Sequence, residues 1–437
     1  TGMVSTDRSL LAAMAFNVLF LVLVTSQCIL TGLSKHYSPE HVKSLLRHKF
    51  RETSTATPKV TLAPAEDVEK TIAEQPSVRG SSNLQAEKAS RLAAKFPKLF
   101  SLFTVVKFNN DVCDTTSKLN GTCYTALECS AFQGTAQGMC ASGFGTCCLF
   151  ERTCGGNSNR NLTYFVSNGN NGISQCPVTI NKCGPNVCQL RLDFETFTLA
   201  PPTATGLCND DLFIVTAGNP VNAICGKNTG QHMYVDFGSG TSNVILNVVS
   251  SAPFQGRQWR IRTTQIPCDS PIRAPPGCLQ YFSSTSATVM SFNFDGTTGS
   301  QHLANQNYGI CFRNDVGYCG IQYQECTIAM VRTFSLTTAT AAMDAIGMSA
   351  NNGIMANSCA DDFLLIPCAS AMKGFQQMCT ISRICGQAFS AAAAAAAASA
   401  PVFSWSKPFV LSFHTDNAEA ETNNRGFCLT YVQQPCT

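Results

Sequence analysis

Cys208-Asn-Asp-Asp211-Leu-Phe-Ile-Val215 returns 151 residues later as Cys359-Ala-Asp-Asp362-Phe-Leu-Leu-Ile366. In both, a cysteine and two adjacent acids lead into an apolar run, so the chain carries one structural unit twice. The correspondence extends outward in both directions. Cys176, Cys183 and Cys188 match Cys311, Cys319 and Cys326 at offsets of 135 to 138. Ile224-Cys225-Gly226 matches Ile384-Cys385-Gly386 at 160, and Arg257-Gln-Trp259 through Pro267-Cys268 matches Arg425-Gly-Phe427 through Pro435-Cys436 at 168. The offset grows in one direction, as insertions into the second copy produce.

Both copies read as β. Cys188, Leu190, Leu192 and Phe194 alternate with Gln189, Arg191 and Asp193, and Phe409, Leu411 and Phe413 alternate with Val410, Ser412 and His414. A period of two buries one face of each strand. Gly, Asn, Ser and Thr clusters separate such runs at short intervals, and two antiparallel β-sandwiches are the economical reading. The run Ala391–Ala398 interrupts the second copy as a surface-loop insertion.

Ahead of the repeats, Cys113, Cys123, Cys129, Cys140, Cys147 and Cys148 fall within 36 residues. A block this small buries too little apolar surface to fold without staples. Six cysteines allow 15 pairings, and the adjacent Cys147 and Cys148 are expected to reach different partners. Farther upstream, Arg8 precedes an apolar run from Leu10 to Val24, followed by Thr25 and Ser26. The run is short for a membrane span and predicts a secretory signal peptide over 1–26. No later segment is apolar enough to anchor the chain, so the mature protein is expected to be extracellular, with no membrane span. Secretion makes disulfides the first reading of 24 cysteines, and no Cys-x-x-Cys occurs to suggest zinc. The sequons at Asn120 and Asn161 fit surface glycans.

The net charge of +3 is unevenly spread. Residues 31–110 hold 13 Lys/Arg against 7 Asp/Glu, whereas residues 111–437 hold 16 against 19. A slightly acidic folded part argues against nucleic acid. Residues 27–109 are rich in Pro, Ser, Thr, Lys and Glu and read as a linker or pro-segment, partly disordered.

The Cys-x-x-Asp, Ile-Cys-Gly, Phe413-His-Thr-Asp416 and Gly426-Phe427-Cys428-Leu429-Thr430-Tyr431 elements resemble those of a CUB domain, and the whole resembles secreted arthropod CUB-domain proteins. The cysteine block resembles the clip domain found ahead of some arthropod serine proteases. The resemblance implies a mainly β chain: a small disulfide-rich clip-like module over 110–150, a CUB-like sandwich over 154–268, and a second over 278–436. It further implies the disulfides Cys154–Cys176, Cys208–Cys225, Cys278–Cys311 and Cys359–Cys385. Cys183 with Cys188 and Cys319 with Cys326 recur in both copies and are expected to pair, and Cys428 with Cys436 is a further pair open to the second copy. Arg260 stands where Cys428 has its counterpart, which leaves Cys268 without an obvious partner. Either Cys28 survives signal cleavage and pairs, or one thiol is left over.

Many CUB domains hold calcium through a Glu and two Asp, because a hard cation wants several oxygens. Asp362 and Asp416 stand at two of those positions, with Asn417 adjacent, but the stretch Ser349-Ala-Asn-Asn-Gly353 lacks the glutamate. In the first copy Asp211 remains, while Ser250 and Ser251 occupy the region of the second acid. Calcium is therefore a candidate ligand of the second copy alone. No Gly-Asp-Ser-Gly-Gly, Ala-Ala-His-Cys, His-Glu-x-x-His or phosphate-binding glycine loop occurs. His232, Asp236 and Ser239 lie close in sequence but within a strand-like stretch, not in the surroundings of a triad. The expected function is a non-catalytic secreted binding protein whose CUB-like modules meet a protein or glycan. The alternatives are a regulator of an extracellular serine-protease cascade, acting through the clip-like module, and a structural matrix component.

Overall fold

The computed structural model describes residues 107–238, 243–296, 300–329, 331–337, 359, 361–374, 379, 381–391, 399–417 and 424–436. The expected signal peptide, Cys28, the tail up to residue 106 and the alanines at 392–398 lie outside the described residues.

The front module comprises β1 (Val112–Asp114), β2 (Asn120–Tyr124), α1 (Ala126–Ala131), β3 (Thr135–Cys140) and β4 (Gly145–Arg152). A capping box starts α1: Thr125 Oγ1 accepts from Glu128 N at 3.2 Å, and the Glu128 carboxylate accepts from Thr125 N at 2.9 Å. Its core is little more than Tyr124, Cys129, Cys148 and Phe150. Cys113–Cys147, Cys123–Cys140 and Cys129–Cys148 supply the missing constraint. Cys147 and Cys148 diverge because neighbours on a strand face opposite sides.

The first sandwich follows with β5 (Asn157–Ser158), β6 (Thr163–Val166), β7 (Ser174–Asn181), β8 (Val187–Thr198), β9 (Asp211–Thr216), β10 (His232–Asp236), β11 (Asn243–Ser250) and β12 (Gln258–Pro267). One sheet runs β6-β12-β8-β10 and the other β5-β7-β11-β9. The alternation read from β8 holds, with Leu190, Leu192 and Phe194 buried between the sheets. β4 pairs in parallel with β6, Glu151 opposite Tyr164, so the front module's sheet continues into that of the sandwich. The strand runs past residue 150 without a linker.

The second sandwich contains β13 (Cys278–Phe282), β14 (Ser286–Met290), β15 (Asn307–Phe312), β16 (Tyr318–Glu325), β17 (Phe334–Ser335), β18 (Phe363–Ser370), β19 (Ile381–Ile384), β20 (Val402–Ser404), β21 (Val410–His414) and β22 (Gly426–Pro435). Its orders β14-β22-β16-β20 and β13-β15-β21-β18 repeat the first sandwich strand for strand. β20 also pairs with β18 and joins the two sheets.

This register corrects one sequence match. Cys188 is the second residue of β8 and Cys319 the second of β16, and each bonds to the end of its own copy, as Cys188–Cys268 and Cys319–Cys436. Cys326 is therefore not the counterpart of Cys188 and bonds Cys428. The suggested pairs Cys183–Cys188, Cys319–Cys326 and Cys428–Cys436 do not form, and Cys268 has its partner. Glu195 and Arg260 occupy the Cys326 and Cys428 positions in the first copy, where the strands bulge. Cys368–Cys379 is an additional bond of the second copy.

The sandwiches meet through buried polar side chains. Gln280 donates to Gln231 at 3.1 Å, and Gln231 to the Ser291 carbonyl at 3.0 Å. Asn228 accepts from Asn293 N at 2.7 Å, and Gln189 from Ala274 N at 2.8 Å. All four side chains are buried; the Gln280, Gln231 and Asn228 bonds cross between copies, and the Gln189 bond holds the connector at Ala274, so these bonds form only when the sandwiches are docked. Gly226, of the Ile-Cys-Gly element, lies at φ +73°, and a Cβ there would come 1.8 Å from Asn293 Oδ1. Glycine is thus required both by the backbone and by the neighbouring sandwich. Residues 110–437 fall in one compact unit.

Candidate functional site

The acids singled out in the two copies have different fates. Asp211, at the start of β9, is fully buried, and its carboxylate receives Arg257 Nε at 2.9 Å and Nη2 at 2.8 Å. The amide of Ala200 donates a third bond at 2.8 Å. The remaining guanidinium hydrogens go to the carbonyls of Ala252 at 2.7 Å, Gly172 at 3.0 Å and Asn170 at 3.4 Å. Both side chains are wholly inaccessible. A fork-to-fork pair with every other donor spent is the geometry in which a buried ion pair holds. The first copy's acid position is sealed by a resident cation. Ser251, in the region of the missing second acid, donates to the carbonyl of Asn209 at 2.9 Å.

In the second copy Asp362, also buried, accepts from the backbone amide of Asp416 at 2.9 Å. The Asp416 carbonyl in turn accepts from Asn305 N at 2.5 Å, where Asn305 takes a left-handed φ of +57°. The Asp362 side chain, just before β18, thus holds the backbone of Asp416, just after β21. Asp361 beside them is exposed and Asp416 half-buried. Among the described residues no three His, Cys, Asp or Glu side chains cluster to hold a metal ion. Residues 349–353, where a third acid is expected, lie outside them. Asp362 and Asp416 supply only part of the six to eight oxygens calcium takes.

A second polar array covers the outer face of the sheet shared with the front module. Arg191 pairs with Asp193 at 2.7 Å and Arg262 reaches Asp193 at 3.1 Å and Glu195 at 3.8 Å. Arg260 approaches Glu151 of β4 at 3.6 Å. Arg262 Nη1 also donates to Asn120 Oδ1 at 2.6 Å, and the Tyr164 hydroxyl receives Asn120 N at 3.0 Å. These bonds tie β2 to the sandwich, and burial raises the Tyr164 pKa. Asn120 and Asn161 are both half-buried, and Asn161 Oδ1 accepts from Gln265 N at 2.8 Å.

His232 and Asp236 lie on β10, and Ser239 lies outside the described residues. The His232 ring packs edge-on against Phe282 of the second sandwich, with Nε2 3.2 Å from Tyr281 N, and Asp236 accepts from Gln189. Burial and the nearby Arg191 charge push the His232 pKa down to about 4, against the opposing pull of Asp193.

The four disulfides implied by resemblance are present as Cys154–Cys176, Cys208–Cys225, Cys278–Cys311 and Cys359–Cys385. Arg257 was visible in the sequence as the head of a repeated element, but only the fold shows that it closes on Asp211.

Mainly β, built from disulfide-stapled sandwiches with almost no helix, the fold is CUB-like. Residues 275–434 match the family model of the animal CUB domain, while no curated protein matches the chain. Similar solved structures include the CUB1-EGF-CUB2 domains of rat MASP-1, 14% identical over 63% of this chain and 99% of that one, with a TM-score of 0.21. The corresponding domains of human MASP-1/3 are 15% identical over 63% and 100%, at 0.22. The full extracellular region of zebrafish Gpr126/Adgrg6 is 10% identical over 64% and 37%, also at 0.22.

Proposed function

We propose that this is a secreted, non-catalytic binding protein that recognises an extracellular partner through its CUB-like modules, with a basic group of the partner meeting Asp362 and Asp416. The placement of the second copy's acids carries this reading. Asp362 holds the backbone amide of Asp416, and Asp361 and Asp416 beside it are exposed and half-buried. Acids held by a disulfide-stapled scaffold are already oriented, which lowers the ordering cost of binding. Glycans on Asn120 and Asn161 belong to the same reading, as does removal of residues 1–26.

The test is capture from native extracellular fluid with the secreted chain as bait, with and without calcium chelation. A saturable partner lost in Asp416→Ala supports the reading, and loss on chelation adds calcium to it. Capture unchanged by Asp416→Ala contradicts it.

A second reading rests on the front module. Val112, Leu127, Met139 and Phe144 are 61%, 84%, 81% and 64% exposed on this small module. Large exposed apolar side chains concentrated in this way suit a contact surface, consistent with a clip-like regulator of a protease cascade. A specific protease among the captured partners, lost in Leu127→Asp/Met139→Asp, would favour it.

A further inference from the structure

Where the outer face of the β13-β15-β21-β18 sheet meets the 219–222 loop of the first sandwich there is a groove of about 490 Å³, within the usual range of small-ligand sites. No carboxylate, ammonium, guanidinium or imidazole group lines it. Gly309 and Ser412 face each other across β15 and β21 beneath it, and the Gly277 carbonyl lies over Gly309. Pro220, Pro276 and Pro408 stand exposed around it and stiffen the rim.

Its polar groups have capacity left. Asn219 Oδ1 is committed to Asp236 N at 2.7 Å, which fixes the loop and leaves the amide nitrogen as a donor. The side chains of Asn222, Asn307 and Ser412 make no hydrogen bond among the described residues, and both asparagines are exposed. Carboxamides and hydroxyls donate and accept, so these groups suit a ligand that offers both through neutral hydroxyls. A charged ligand would lose water and gain no counter-charge. A peptide added as a strand along β13, the end of its sheet, is disfavoured because His232 Nε2 already stands 3.1 Å from Tyr281 O and 3.2 Å from Tyr281 N.

We propose that this groove binds a neutral, hydroxyl-rich glycan. The inference rests on the reading of the protein as a binding module and assigns it a second class of ligand at a composite site. Both sandwiches build the groove, so neither provides the site alone.

The experiment measures binding of the full chain to neutral oligosaccharides (oligomers of N-acetylglucosamine, mannose and galactose), with sialylated and sulfated oligosaccharides alongside. Asn222→Ala/Asn307→Ala and the groove-filling Ser412→Tyr are compared with wild type, each checked for an unchanged unfolding midpoint. The expected result is saturable binding of a neutral glycan, weakened at least tenfold by the double alanine variant. Should Ser412→Tyr fail to fold, the exposed asparagine pair alone decides. Absence of neutral-glycan binding, binding untouched by the asparagine variant, or binding of anionic glycans only would overturn the proposal. Protein capture is followed on the same wild-type sample, so loss of one readout with the other intact separates failure of this site from failure of the Asp362–Asp416 reading.

Discussion

Arg257 shows how one residue secures a buried acid. Removing it strands a fully buried carboxylate among groups that can no longer neutralise it. Arg257→Ala should lower stability by about 3–5 kcal/mol in urea unfolding, and Asp211→Leu/Arg257→Met should recover much of that loss. A loss under about 1 kcal/mol for the alanine variant would mean the pair is not sealed. His232 makes a pH prediction. Its folded pKa of about 4 lies below the unfolded 6.5, so between those values the unfolded chain holds the extra proton. Stability from this group is complete above pH 6.5 and falls as pH drops through the window, by roughly 3 kcal/mol at its foot. Unfolding midpoints measured from pH 7.5 to 3.5 should lose that part of their slope in His232→Gln. Neither role was legible beforehand. Arg257 sits 46 residues from its partner, and His232 alternates along a strand whose covering surface belongs to the other sandwich.

At the level of elements, strand faces were readable and their partners were not. Period-two alternation placed Leu190, Leu192 and Phe194, and Phe409, Leu411 and Phe413, in the core, and all six are there. The same alternation set Gln189 on the outer face of β8, which is correct, yet Gln189 is buried and bonded on that face to Ala274, in the segment that connects the two sandwiches. Periodicity reports a face and says nothing of what lies against it. Cysteine matching failed for a related reason. Offsets count intervening residues, whereas disulfides follow strand register, which sets Cys188 beside Cys268 across the β8–β12 pair. Gly226 tests the docking of the sandwiches most sharply. Gly226→Ala would place a methyl group into Asn293 at a positive φ, and should cost at least about 2 kcal/mol. Thermal unfolding of Gly226→Ala beside Gly277→Ala separates the effects, since Gly277, also at positive φ, has nothing near its Cβ. Equal losses in the two would contradict the docking role.

Across the whole molecule, the repeat predicted two sandwiches and the six-cysteine block a stapled module ahead of them, and the structure is mainly β and disulfide-stapled throughout. What the repeat could not convey is how they join. The front module continues a sandwich sheet through β4 and β6, and the sandwiches share buried glutamines and asparagines that bond across the junction. Partner recognition as proposed here depends on that fixed geometry, because the Asp362–Asp416 region and the composite groove would otherwise move relative to the front module. Differential scanning calorimetry of the disulfide-intact secreted chain tests it most directly. One endotherm is expected for residues 110–437, with calorimetric and van't Hoff enthalpies equal. Two or three resolved transitions, with the front module or one sandwich melting alone, would contradict it.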